Sequence, residues 1–577
     1  MRHYLFRVRD WLEETHSTAF ELRRHFFLRF FDSDLVSTPG QWRVVAGGAF
    51  GILLSLSLIW VQAYYHKYLE LNKLSTAEPL ELALLADVLF LITLAMCAIG
   101  LFTTLLWTSL FPGLRDYLAL AALPIRMRDV FAAKFTALLS LAGTFVVAVT
   151  VPPSIFLPML AAGHNMRNAA PQIPGIFVSS SLAALFVFFS LVTVQGVLLN
   201  ILPVRLFARV SLFVQGVLLT VLLCGLPFVF SIATLHEAMT QRPGWLPWAP
   251  PTWFLGLDQV ITGNPDPLAM RLARIAFTGV SAAALAAVLT YLWSYHRQKV
   301  RLLESATGPL KAKQEWFAAW GDGMNPRELA AFAFIVKTLA RSRQHRLILT
   351  AYAALAIAVI FEGFVSLALT RNFRGFSVQT PALRQAALSA PLALSLFVLA
   401  GFRYLFRLPV ELRANWVFRV NTPGNRLFFL NAVERFLICC AVMPVALLTL
   451  PLEIYLLGAS TGIVVTLLCV LPSLILMELL LLHFERIPFT SSYLPGQRPL
   501  IETLLLYSLA VTLYVSILSG ILTWCLRGPG STVAVFTVLL AAWWRARTAR
   551  LDGREIGKLE FEEMLEPAVL TLSIERD

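Results

Sequence analysis

The sequence predicts an all-α, polytopic membrane protein with about twelve transmembrane helices in two pseudo-repeated six-helix bundles, and three observations predict it. First, 58% of the 577 residues are hydrophobic and only 14% are charged, with a mean hydropathy of +0.72. That is more apolar side chain than a soluble core can hide. Second, the apolar residues gather into runs near the roughly 20 residues that cross a bilayer as a helix. Third, the pattern occurs twice: residues 1–298 and 327–544 each read as a basic amphipathic lead-in followed by six apolar runs. Internal symmetry of this kind suits two bundles that rock around a shared path.

The first half's spans are expected at 44–63, 82–110, 131–157, 175–201, 209–235 and 275–295. Those of the second half are expected at 346–369, 385–406, 427–452, 458–482, 502–525 and 530–544. Within 427–482 only Pro451 and Gly458 suggest a turn between two helices. The lead-ins, about 20–31 and 327–341, put cations on one side and apolar groups on the other at helical spacing, as elements lying along a bilayer surface do. Residues 299–326 read as a basic cytoplasmic linker and 545–577 as a cytoplasmic tail.

Orientation follows from the basic residues. With both termini inside, the cytoplasmic side holds 37 of the 47 Lys and Arg residues and the external side 10, as short loops require. The N-terminal 43 residues lack an apolar h-region with a small-residue cleavage site, so the first span is expected to anchor itself in the cell (inner) membrane. This orientation and attraction to anionic lipid headgroups account for most of the +13 net charge, and no nucleic-acid partner is expected. The six cysteines lie nearly all inside spans and read as small core residues, while the nine histidines form no two-ligand helix face. No metal site is expected.

Between the second and third spans, Phe111–Lys134 contains a helix stop at Pro112-Gly113, a short tract to Leu123 and a new start at Pro124. Arg403–Arg426 repeats the pattern in the second half, with Pro423 answering to Pro124 and Arg426 to Arg126 or Arg128. These segments are either solvated loops or paired docking elements for a cytoplasmic partner. The candidate docking residues are Arg115, Asp116, Arg126, Arg128 and Asp129, and then Arg407, Glu411, Arg413, Arg419 and Arg426.

Ionisable residues inside spans are costly and so become candidates for a translocation path: Asp87, Glu362 and Glu478, each alternatively snorkelling or paired with an interfacial arginine. Gln195 and Gln215 open two near-identical Gln-Gly-Val-Leu-Leu stretches and suit either the path or helix–helix contacts. A path so poor in charge favours a hydrophobic or lipid-linked cargo. The region from His236 to Arg274 carries Trp245, Trp248 and Trp253 among prolines that forbid one uninterrupted helix, so a short re-entrant or surface-lying gate is expected. The second half has only Arg527–Ser531 at that place. No GxxxxGK[ST] phosphate loop occurs, and Gly321-Asp-Gly323 has no following lysine-serine pair.

On the stretch Asp116–Lys134, and on the layout of the whole chain, the sequence resembles the permease subunits of type-2 ATP-binding-cassette exporters in their fused, two-in-one form. The resemblance implies an elbow helix before each first span, a coupling helix after each second span and a helical pair dipping back between the fifth and sixth. It implies no enzyme activity or cofactor in this chain, with ATP and Mg on two copies of a separate cytoplasmic ATPase. Two other classes stay open. An ion-coupled secondary transporter would use Asp87, Glu362 or Glu478, and a membrane enzyme for lipid-linked substrates would use Asp258 and Asp266 as acid and base.

Overall fold

The apolar runs form helices because in lipid every backbone N–H and C=O must find its partner within the segment. A computed structural model describes residues 17–29, 65, 67–71, 78–112, 120, 126–162, 169–230, 246–263, 266–305, 324–370, 381–408, 427–482, 487–490 and 500–552. The described residues contain helices and turns but no strand. Nine of those helices are long and apolar enough to cross a bilayer, and they fall on the second to tenth predicted spans. The predicted first span, 44–63, lies outside the described residues. The eleventh has a shorter described apolar stretch, Leu509–Cys525. In the twelfth the apolar run gives way to Arg545, Arg547 and Arg550.

The chain divides into two compact units, Met1–Leu310 and Lys311–Asp577. In the first, α1 is Ser17–Arg29, α2 Glu78–Leu105, α3 Met127–Ala162, α4 Gln172–Ile201, α5 Val204–Phe230, α6 Pro250–Ile261 and α7 Pro267–Ser305. Leu22 and Phe26 of α1 pack on Val130, Ala133 and Ala137 of α3, while Arg23, Arg24 and His25 stay exposed. The Lys134 ammonium lies 5.3 Å from the centre of the Phe26 ring. α4 is the central helix and packs on α2, α3, α5, α6 and α7. Its buried face is rich in small residues, Gly175, Ser179, Ser180, Ala183, Ala184 and Gly196, which bring neighbouring helices close.

Two boundaries differ from expectation. α2 stops at Leu105, five residues before the predicted end, and tightens into a 3-10 turn at Trp107–Ser109. α7 begins at Pro267 rather than 275, because Pro267 sits at a helix start, where its missing N–H leaves no bond unmade. Pro250 and Pro251 start α6 in the same way.

In the second unit, α8 is Pro326–Arg341, α9 Arg343–Thr370, α10 Pro381–Leu405, α11 Leu427–Leu437, α12 Met443–Leu457, α13 Ala459–Leu481, α14 Leu500–Cys525 and α15 Pro529–Asp552. One π-helical turn, Ile438–Val442, joins α11 to α12. The helix runs through Pro451 and breaks at Gly458, whose φ of +88° is open to glycine at little cost. Ala331, Phe332, Ile335 and Val336 of α8 pack against Phe402, Phe406, Phe429 and Phe436 in the largest aromatic core. α15 continues eight residues past the predicted end at 544.

Large side chains line the outside of both units: Phe213, Val217 and Val221 on α5, Phe277, Leu285 and Leu289 on α7, Leu447 and Leu448 on α12, and Leu509, Leu513 and Ile517 on α14. So many large exposed apolar side chains on long apolar helices call for an apolar surrounding, and a bilayer supplies it. The protein is therefore a multi-pass helical membrane protein.

Candidate functional site

The last carbonyl groups of any helix lack intrahelical partners, and the end of α2 shows where such groups go in a dry interior. The Gln195 amide donates to the carbonyl of Trp107. The Gln215 amide donates to the carbonyl of Thr104 at 2.8 Å, and the Tyr291 hydroxyl to that of Leu110 at 3.1 Å. The Trp107 indole N–H in turn donates to Ser211 Oγ at 2.7 Å. Side chains from α4, α5 and α7 thus hold one helix end. Trp107, Gln195, Ser211, Gln215 and Tyr291 are all buried.

This clamp borders the candidate docking segment on both sides. The Phe111 ring stacks on Tyr291 at 4.6 Å between centroids, and Phe131, near the start of α3, meets the same ring edge-on at 5.8 Å. Tyr291 therefore gathers the residue where the chain leaves α2 and a residue near where it returns. Of the docking candidates in between, Arg126, Arg128 and Asp129 are exposed. Arg128 lies 3.6 Å from Asp129, a surface pair worth at most about 1 kcal/mol. Arg115 and Asp116 lie outside the described residues.

The second unit treats the corresponding end with other chemistry. The Phe406 carbonyl, just past α10, accepts from the Phe489 N–H at 3.1 Å, and the Phe489 ring meets Phe406 and His345 edge-on. Arg407 is exposed, and Glu411, Arg413, Arg419 and Arg426 lie outside the described residues. Nearby in the chain's packing, Arg550 of α15 bonds both Glu434 of α11 and Glu478 of α13, and Arg547 reaches Glu434 at 3.3 Å. Arg550 is 3% exposed, Glu434 7% and Glu478 0%.

The remaining path and gate candidates divide. Asp87 is buried and bonded by Lys67 at 2.7 and 2.8 Å and by Tyr68 at 2.8 Å. Glu362 is exposed on α9. Trp245 lies outside the described residues, Trp248 is 83% exposed, and the Trp253 indole donates to the Pro247 carbonyl at 2.8 Å while its ring packs edge-on against Phe186. α6 itself is seated on α2, α4 and α7. Asp258 of α6 is buried with no hydrogen-bond partner for Oδ1, and burial pushes its carboxyl up to about 7. Asp266, beyond the Gly263 turn, is exposed.

Three residues escape a sequence reading. Tyr291 is one apolar-span tyrosine among several, and only its distant partner Leu110 marks it. Arg550 falls beyond the apolar run of α15. Glu453 falls between two predicted spans, yet it is fully buried in α12 and accepts a hydrogen bond from Thr466 of α13. No family model, curated protein or solved structure matches the chain.

Proposed function

We propose that the chain is the transmembrane permease of an ATP-driven exporter, two six-span halves in one polypeptide, worked by two copies of a separate cytoplasmic ATPase. The observation that carries this reading is one packing scheme used twice. In the first unit the pairs are α1–α3, α2–α3, α2–α4, α2–α5, α3–α4 and α4–α7. In the second they are α8–α11, α10–α12, α10–α13, α10–α14, α12–α13 and α13–α15. Counted as elbow and spans, these are the same six pairs: elbow on third, second on third, fourth and fifth, third on fourth, and fourth on sixth. Repeated bundles are how alternating-access transporters are built.

In this reading both elbows and both termini face the cytoplasm of a cell (inner) membrane, and the stretch Asp116–Arg128 is the first segment that docks on the ATPase. Tyr291, Gln195 and Gln215 then transmit its displacement into α4, α5 and α7. α6 and the start of α7 form the external gate, which the second half replaces with a tight turn. The chain has no phosphate-binding loop, so ATP and Mg belong to the partner. Among the described residues few charged side chains lie within the spans, which suits a hydrophobic or lipid-linked cargo.

The test is charge reversal of the docking surface. Arg126→Glu with Arg128→Glu abolishes copurification of the ATPase while thermal stability stays within about 0.5 kcal/mol, the usual range for exposed sites. ATPase binding that is unchanged by the double reversal would contradict the assignment.

A further inference from the structure

Among the described residues, each unit buries a carboxyl group with no cation on it at an equivalent point of its packing, the start of the fourth span. In the first unit Asp258 is 5% exposed with Oδ1 unpartnered. It lies over Gly175, the fourth residue of α4, where a Cβ would stand 2.7 Å from that oxygen. In the second unit Glu453 is 0% exposed, with Thr466 on one carboxyl oxygen and no partner for Oε1. Its backbone crosses Gly462, the fourth residue of α13, where a Cβ would stand 2.8–2.9 Å from Ile454 N and the Glu453 carbonyl carbon. In both cases a glycine in the first turn of the fourth span lets the acid-bearing element close over the helix start.

No cation answers either acid among the described residues. Of the elements packed on α6, α4 has no ionisable side chain. α2 brings Glu78, Glu81 and Asp87, the last already bonded by Lys67 and Tyr68. α7 brings Arg271 and Arg274, both exposed, and Asp266 precedes it. Around α12, α13 brings Cys469 and Glu478, the latter held by Arg550. The π turn brings Cys439 and Cys440, α10 brings Arg384 and Arg403 near its two ends, and Tyr455 of α12 itself is exposed. An isolated carboxylate in such a site costs far more than the neutral acid.

We propose that Asp258 and Glu453 are proton-binding sites, one in each unit, whose protonation holds closed the bundle end remote from the elbow helix. Loss of the proton leaves a carboxylate sealed under a helix start, and the contact over Gly175 or Gly462 opens to admit water. In the second unit Thr466, the residue that holds Glu453, also lines a small crevice of about 10 Å³ together with Thr449, Cys469 and Ser473. Its hydroxyls give the proton a polar route that lipid does not offer. Such proton sites act independently of the source of energy for transport and need no ATPase.

The experiment uses the full chain in lipid vesicles treated with N,N′-dicyclohexylcarbodiimide, an apolar reagent that attacks protonated carboxyls in dry sites, followed by peptide mapping. Adducts are expected on both Asp258 and Glu453, with rates falling toward tenfold per pH unit above each midpoint. Asp258→Asn and Glu453→Gln, close in shape to the parent acids, each remove one adduct and leave the other. As pH rises toward each midpoint, hydrogen exchange in 250–261 and 458–466 increases beyond its intrinsic rise in the parent, and each substitution abolishes the extra rise in its own segment. Absence of adducts at either acid, labelling indifferent to pH, or protection by sodium ions at constant pH would overturn the proposal. So would exchange that follows only the intrinsic rate.

Discussion

The two units secure the elbow-side ends of their helices with opposite chemistry. The first uses neutral amides and a hydroxyl that satisfy backbone carbonyls at the end of α2; the second uses two buried glutamates and the buried Arg550, with the half-exposed Arg547 at the edge, joining α11, α13 and α15. A neutral clamp breaks one bond at a time, because each donor leaves behind only a dipole. An ion cluster fails as a whole, because loss of one member strands a buried charge. The difference teaches that the same packing scheme can be given a graded or an all-or-none joint at the end of its second span.

The sharpest way to break this comparison is Arg550→Ala, which strands Glu434 and Glu478 and is expected to cost about 3–5 kcal/mol. Limited proteolysis should show the second unit cut while the first stays protected. Replacing Glu434, Glu478 and Arg550 together with Gln, Gln and Met should restore most of that loss; failure to restore it would show that the cluster does more than balance charge. Next comes the pH response of α6. Asp258 has its carboxyl pushed up to about 7 from an ordinary 3.8, so the seated helix holds a proton that the opened one releases. Linkage then gives full stability of the seat below about pH 4, a decline as pH rises toward 7, and no further loss above it. Hydrogen exchange in 250–261 measures this, and Asp258→Asn should remove the decline.

Smaller effects sharpen the account of the first unit. Gln195→Ala leaves the buried Trp107 carbonyl without its donor, for an expected loss of about 1–3 kcal/mol by thermal unfolding. Gln215→Ala should act alike at Thr104. Tyr291→Phe deletes the hydroxyl that bonds Leu110 and should cost about 1 kcal/mol, while the ring contacts to Phe111 and Phe131 persist. If Tyr291→Phe were as damaging as Arg550→Ala, the graded character of the neutral clamp would be wrong.

Much of this layout was legible in the sequence because hydropathy and span length are dictated by the bilayer, not by tertiary detail. Gly458 was legible for a similar reason, since a break between two apolar runs needs a residue open to positive φ. Gln195 and Gln215 were visible as polar residues in spans, but their partners lie 88 and 111 residues away, a distance no local pattern bridges. Glu453 was hidden because Pro451 read as a helix end. The helix continues through it, since loss of one N–H is tolerable where neighbouring helices pack. Arg550 was hidden because the hydropathy of α15 falls before the helix does. Residues Glu434 and Glu478 show the converse: two acids at helix ends gain meaning only when the arginine between them is placed.

The most direct test of the transport reading is the stoichiometry of what this chain holds in its own membrane. Affinity purification in mild detergent, with native mass measurement of the intact complex, should return two nucleotide-binding ATPase subunits for each copy of the chain. A chain recovered without any such subunit across several gentle detergents, yet still folded by its proteolytic pattern, would contradict the permease assignment.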